Sequence, residues 1–121
     1  MARSILVVDD DVALRGLIVR ILRGGGHVVL AEAGSVAEAL AQAGALRPDV
    51  ALVDIGLPDG DGFALTRQLL DLQPSIRVVV FSSDADRTNV VAAERAGAVG
   101  FVPKDELTSA ALARLIDGGA D

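Results

Sequence analysis

Five side chains in this 121-residue sequence have the types and placement to handle a phosphoryl group. Asp9 and Asp10 close the apolar run Ile5 to Val8, Asp54 follows Val50 to Val53, Ser82 follows Arg77 to Phe81, and Lys104 comes just after Gly100 to Val102. Each stands where a stretch of strand-forming residues stops. Three ionised carboxylates within ~5 Å of one another would repel by ~3 kcal/mol per pair at an effective dielectric of ~20, so the cluster calls for a cation. With oxygen donors alone, that cation is a hard one. Mg²⁺ (or Mn²⁺) fits, because it keeps coordination positions open for water or phosphate oxygens. Lys104 is the only lysine among eleven basic residues, so a compact ammonium stands where the composition would otherwise supply a guanidinium.

Placing these groups together requires a particular alternation of elements. Ile5 to Val8 reads as a strand, and Leu14, Leu17, Ile18, Ile21 and Leu22 recur at helical spacing before Gly24, Gly25 and Gly26 stop the helix. A second strand spans His27 to Ala31. Ser35 and Glu38 have capping-box spacing and open a helix through Ala43; Pro48 and Asp49 then precede a third strand, Val50 to Val53. GLPDGDG is dense in turn residues, with Asp59 and Asp61 read as turn and cap residues, and Phe63 to Leu72 is helical. Strand four is Arg77 to Phe81, followed by a helix from Val90 to Ala96 closed by Gly97. Strand five is Gly100 to Val102, and a last amphipathic helix spans Leu107 to Ile116. Strands apolar along their whole length, alternating with helices, imply an α/β, doubly wound (βα)5 fold around a five-stranded parallel sheet. In such folds ligands sit outside the carboxyl ends of the strands, which is where the five side chains lie.

VVDDD after strand one, LVDIGLPDGDG around Asp54, VVVFSSD at Ser82 and AGAVGFVPKDEL around Lys104 together resemble a response-regulator receiver domain, with a match over essentially the whole chain, residues 1–121. The resemblance implies the flavodoxin-like strand order 2-1-3-4-5. It makes Asp54 the phosphoacceptor for a sensor histidine kinase or phosphotransfer protein. Asp10 would bind Mg²⁺ directly and Asp9 mostly through water, with Asp54 and the backbone carbonyl of Gly56 completing the protein ligands. Ser82 and Lys104 would hold phosphoryl oxygens, while Ser82 and Phe101 would act as switch residues that remodel the face made by helix four, strand five and helix five. That face could also pair two copies. Gly56 and Asp84, two residues past Asp54 and Ser82, stand where the family tunes phosphoryl lifetime. Two departures bear on geometry: Lys104 is followed by Asp105, where many receivers have proline, and Pro103 precedes it. GAVGFVPKDEL most resembles receivers that precede a LuxR-type helix-turn-helix domain, and IDGGAD reads as the start of a linker to a DNA-binding output outside this chain.

Plainer readings stand beside these. Asp9 and Asp10 could be solvated strand-end acids, Asp11 serves the helix that begins near Val12, and Phe101 could be core. Ser83-Asp-Ala-Asp86 resembles a helix cap, which assigns Ser82 to phosphate and Ser83 to the loop. His27 reads as structural. A net charge of −6 disfavours direct contact with nucleic acid or an anionic membrane. No cysteine is present and no apolar run reaches the ~18 residues of a membrane span, so a cytoplasmic protein is expected. Three functional classes remain open: a phosphorylation switch that is not a turnover enzyme, a Mg²⁺-dependent aspartyl phosphohydrolase, and a receiver-like interaction module that works without phosphorylation. The hydrolase would want a second acid two residues past Asp54, where Gly56 stands instead.

Overall fold

The computed structural model describes residues 2–84 and 86–117. Five strands, β1 (Ser4–Val8), β2 (Val28–Ala33), β3 (Val50–Asp54), β4 (Arg77–Ser82) and β5 (Gly100–Pro103), form one parallel sheet in the order β2-β1-β3-β4-β5. Five helices alternate with them: α1 (Val12–Gly24), α2 (Val36–Leu46), α3 (Gly62–Leu72), α4 (Arg87–Ala96) and α5 (Ser109–Ile116). The expected architecture and strand order are both observed.

Alternation along the central strands divides the core in two. Leu6, Val8, Ala51, Val53, Val78 and Val80 pack against Ala39 and Ala43 of α2, Leu65 and Leu69 of α3, and Ala93 of α4. Their neighbours Ile5, Val7, Leu52, Val79 and Phe81 meet Ile18 and Leu22 of α1 and Leu112 and Ile116 of α5 on the opposite face. Covering both faces is why β3 is buried at every residue. At the sheet edge β2 alternates between exposed and partly covered positions until it ends on buried Ala33.

Element boundaries differ from the sequence expectation where a local hydrogen bond decides them. The cap of α4 is Asp86, whose carboxylate accepts from Thr88 N at 2.7 Å, so the helix begins at Arg87 and not at Val90. Lys104–Glu106 form a 3-10 turn and Thr108 caps the last helix through Ala111 N, which moves its start from Leu107 to Ser109. Helix α2 continues past Ala43 to Leu46 and ends on Arg47, a left-handed residue at φ 49°. The GLPDGDG turn folds into a small antiparallel ladder, Gly56–Leu57 against Gly60–Asp61. Every peptide bond among the described residues is trans, including those around Lys104. His27 is structural, with Nδ1 accepting from Arg3 N at 3.1 Å.

Candidate functional site at the carboxyl edge of the sheet

Strand register brings the acids together. Val8 of β1 lies opposite Val53 of β3, so Asp9 and Asp54, one residue further along each strand, become neighbours. Phe81 lies opposite Asp54, which places Ser82 at the same rim. Carboxylate oxygens of Asp9, Asp10 and Asp54 lie within 4.8 Å of one another. Lys104 reaches over from the end of β5, with Nζ 3.4 Å from Asp54 Oδ2, 3.6 Å from Asp9 Oδ2 and 5.6 Å from the centre of the Phe81 ring.

The three acids are not equivalent. Asp10 is exposed, Asp54 is 6% exposed, and Asp9 is completely buried. Asp9 Oδ1 accepts from Asp11 N at 2.9 Å, whereas Oδ2 is buried without a hydrogen-bond partner. Burial pushes the Asp9 carboxyl up to about 6; the Asp11 amide and the Lys104 ammonium oppose that rise, and the nearby Asp54 carboxylate adds to it. A buried carboxylate oxygen that accepts no hydrogen bond, beside two further acids, is the donor set a hard divalent cation satisfies, so the residues present fit Mg²⁺. Asp11 stands apart from the cluster: its carboxylate accepts from Ala13 N and Leu14 N and caps α1.

The other expected residues differ in placement. Ser82 is buried and its Oγ accepts from Asp84 N at 3.0 Å. The Asp84 carboxylate in turn accepts from Asp86 N, so it is engaged within the loop. Phe101 is half-buried on β5 beside Val80 and packs against the core under α2, α3 and α4. Gly56 is exposed, with open space where a Cβ would stand.

Sequence reasoning missed Arg15. Its Nη1 donates to the carbonyl oxygen of Asp9 at 2.7 Å and its Nε to Glu32 Oε1 at 3.0 Å, tying the acidic turn to the end of β2. A signal was available, because helical side chains lean toward the N-terminus and Arg15 lies one turn after the Asp11 cap. Gly62 also shapes the site: a Cβ there would stand 2.5 Å from the Asp54 carbonyl oxygen, so α3 can start against β3 only with glycine. Asp59 does more than turn the chain. Its two oxygens accept from Val36 N at 2.7 Å and Ala37 N at 3.0 Å, clamping the loop after Asp54 to the start of α2 and holding its carboxyl below the usual range.

Residues 5–116 match the family described as the response regulator receiver domain. The chain belongs to that family. Receiver domains of this kind serve two-component systems, and phosphorylation on aspartate is characteristic of them. The chain is 43% identical over 105 residues to the DNA-binding transcriptional activator DevR/DosR of Mycobacterium tuberculosis, an alignment covering 87% of this chain and 48% of the relative. Several curated relatives are likewise longer, and the chain spans about half of their length or less. Among solved receivers, the signal receiver domain of the NarL response regulator from Mycobacterium tuberculosis superposes with a TM-score of 0.88 at 31% identity, covering 97% of this chain and 98% of that one. A response regulator from Burkholderia pseudomallei, solved with a phosphorylated aspartic acid, a calcium ion and citrate, gives a TM-score of 0.85 at 33% identity over 93% of this chain and 66% of that one. Among the described residues of this receiver, no helix is long and apolar enough to cross a membrane.

Proposed function

We propose that this receiver is a phosphorylation-activated switch with Asp54 as phosphoacceptor. The observation that carries the reading is the Asp9–Asp10–Asp54 cluster, in which a buried carboxylate oxygen accepts no hydrogen bond and a single ammonium lies near two of the acids. An Asp54 oxygen attacks the phosphorus of a phosphohistidine on a sensor kinase or phosphotransfer protein. The O–P bond forms, the N–P bond breaks, the electron pair leaves with the imidazole, and an acyl phosphate results. Lys104 Nζ, already 3.4 Å from Asp54, pairs with one phosphoryl oxygen, and the Ser82 hydroxyl turns from its loop contact to donate to another. Mg²⁺ (or Mn²⁺) held by Asp9, Asp10, Asp54 and the Gly56 carbonyl would neutralise charge on the equatorial oxygens.

Movement of Ser82 opens space toward β5, where Phe101 changes packing and alters the α4–β5–α5 face. A phenylalanine has no hydroxyl to bond at its ring tip, so this switch works through packing alone. The altered face acts on an output partner or domain in the cytoplasm, through pairing of two copies or directly. The likeness to DevR/DosR supports a DNA-binding output outside this chain. Self-hydrolysis of the acyl phosphate is the only further chemistry, and its lifetime is set around Gly56 and Asp84.

The test is mass spectrometry after incubation with acetyl phosphate and Mg²⁺. One phosphoryl adduct is expected on the wild type and none on Asp54→Asn. Absence of the adduct while Mg²⁺ binds normally would overturn the switch in favour of a phosphorylation-independent module. Rapid multiple turnover of a phosphate ester would favour a hydrolase.

A further inference from the structure

A cavity of about 630 Å³ differs in character from the acidic site: it is a groove between α3 and α4 edged by arginines. Phe63, Val91 and Ala92 line it with half-buried apolar surface, and Arg67, Arg87 and Arg95 stand exposed around them. We propose that this groove docks an acidic, partly apolar peptide segment of a partner protein.

Three features argue for that occupant. The guanidiniums are free of ion pairs: the ion pairs found among the described residues join Arg15 to Glu32 and Lys104 to Asp9 and Asp54. The one acid in the groove, Asp61, is committed to capping α3 through Ala64 N at 2.7 Å. Three unpaired cations gathered on a chain of net charge −6 form a local reversal of sign that selects an anionic partner at short range.

Spacing then sets the size of the ligand. Arg87, Val91 and Arg95 recur every four residues on α4, so the two guanidiniums are rooted ~12 Å apart along the helix axis at 1.5 Å per residue. An apolar position lies between them. A small anion would engage one end alone, whereas a peptide with carboxylates about one or two helical turns apart and an apolar side chain between them fills the groove and meets both ends. Nucleic acid is the weaker fit, because the negative field of the whole chain repels a polyanion. The groove uses the α3-facing side of α4 and does not depend on Asp54 accepting a phosphoryl group.

The experiment is an amide-resolved NMR titration of the isotope-labelled full chain with a peptide of about twelve residues, carrying Glu at four-residue intervals and Leu between them. Shifts are expected at Phe63, Val91 and Ala92, weakening with added salt and absent for the same peptide with Lys in place of Glu. Arg67→Glu with Arg95→Glu should weaken binding at least about fivefold, and the milder Arg67→Gln with Arg95→Gln should weaken it less, with thermal melts confirming that both variants fold. The proposal is overturned by an absence of groove shifts at millimolar peptide, by shifts confined to another face, or by an equally charged single-stranded DNA that perturbs the groove at lower concentration than the peptide.

Discussion

The Arg15 guanidinium holds the carbonyl oxygen of Asp9 at 2.7 Å while its Nε holds Glu32, so the turn that carries two of the three clustered acids is fixed from behind by a helix side chain. A residue that orients ligands without touching the cation typically changes metal affinity by about 10–100-fold when removed. Arg15→Ala is therefore expected to weaken Mg²⁺ binding by at least about tenfold while the fold survives, and Arg15→Lys to recover part of the loss. Isothermal titration set beside a thermal melt checks this. Equal Mg²⁺ affinity in Arg15→Ala and wild type would remove Arg15 from the site.

Asp9 gives the metal-free protein a pH dependence of definite sign. Its carboxyl is raised from an ordinary 3.8 to about 6, so the folded chain holds a proton that the unfolded chain releases. The contribution is fully present below about pH 4 and is lost as pH rises through about 6, on the order of 2–3 kcal/mol for a shift of this size. Asp49, Asp59 and Asp86 are held low by hydrogen bonds from Ser4, Val36 and Thr88, and they act in the opposite sense as pH falls through the acid range. The difference between wild type and Asp9→Asn isolates the Asp9 contribution. Urea melts without Mg²⁺ should show Asn gaining on wild type between pH 4 and 6.5, and parallel curves would refute the assignment.

The parts of this fold legible in the sequence are those fixed by burial. Val50 to Val53 is apolar without a break because β3 is covered on both faces, and that run alone placed Asp54 at a strand end. The apolar run gives a second strand ending at Ala31, whereas at the sheet edge β2 carries Glu32 on its exposed side and continues to Ala33. Helix starts depended on which of several neighbouring polar residues makes the cap, and nothing local distinguishes Ser83 from Asp86. The difference in burial between Asp9 and Asp10 is equally hidden in the sequence. Register and the reach of Lys104 bury the first acid and leave the second exposed, and both are tertiary facts.

Lys104 is the sole cation within 4.0 Å of the Asp9 or Asp54 carboxylate among the described residues. Lys104→Ala should slow phosphoryl uptake from acetyl phosphate by about a hundredfold, since a preorganised charge aimed at the transferring oxygens is removed. Arg at this position should not restore the rate, because a planar fork cannot place one point charge between two carboxylates that a compact ammonium already bridges. Stopped-flow phosphorylation at saturating Mg²⁺ separates this effect from metal affinity. A Lys104→Ala rate within about threefold of wild type would show that the ammonium serves the fold and not the transfer.

Two glycines of the loop after Asp54 predict opposite results from the same substitution. At Gly62 a Cβ would stand 2.5 Å from the Asp54 carbonyl oxygen and 2.8 Å from Ile55 Cα, and backbone cannot yield as a flexible side chain would. Gly62→Ala must therefore push the start of α3 away from β3, disturbing the 2.7 Å bond from Gly62 N to the Ile55 carbonyl; an overpacking cost of about 2–3 kcal/mol is expected, with slower phosphoryl uptake as Asp54 shifts. At Gly56 the same Cβ meets nothing within 4 Å, so Gly56→Ala should alter stability by no more than about 0.5 kcal/mol. Urea unfolding of the two variants side by side reads the contrast directly. If both alanines were tolerated equally, the close approach of α3 to Asp54 would not be what holds the phosphoacceptor in place.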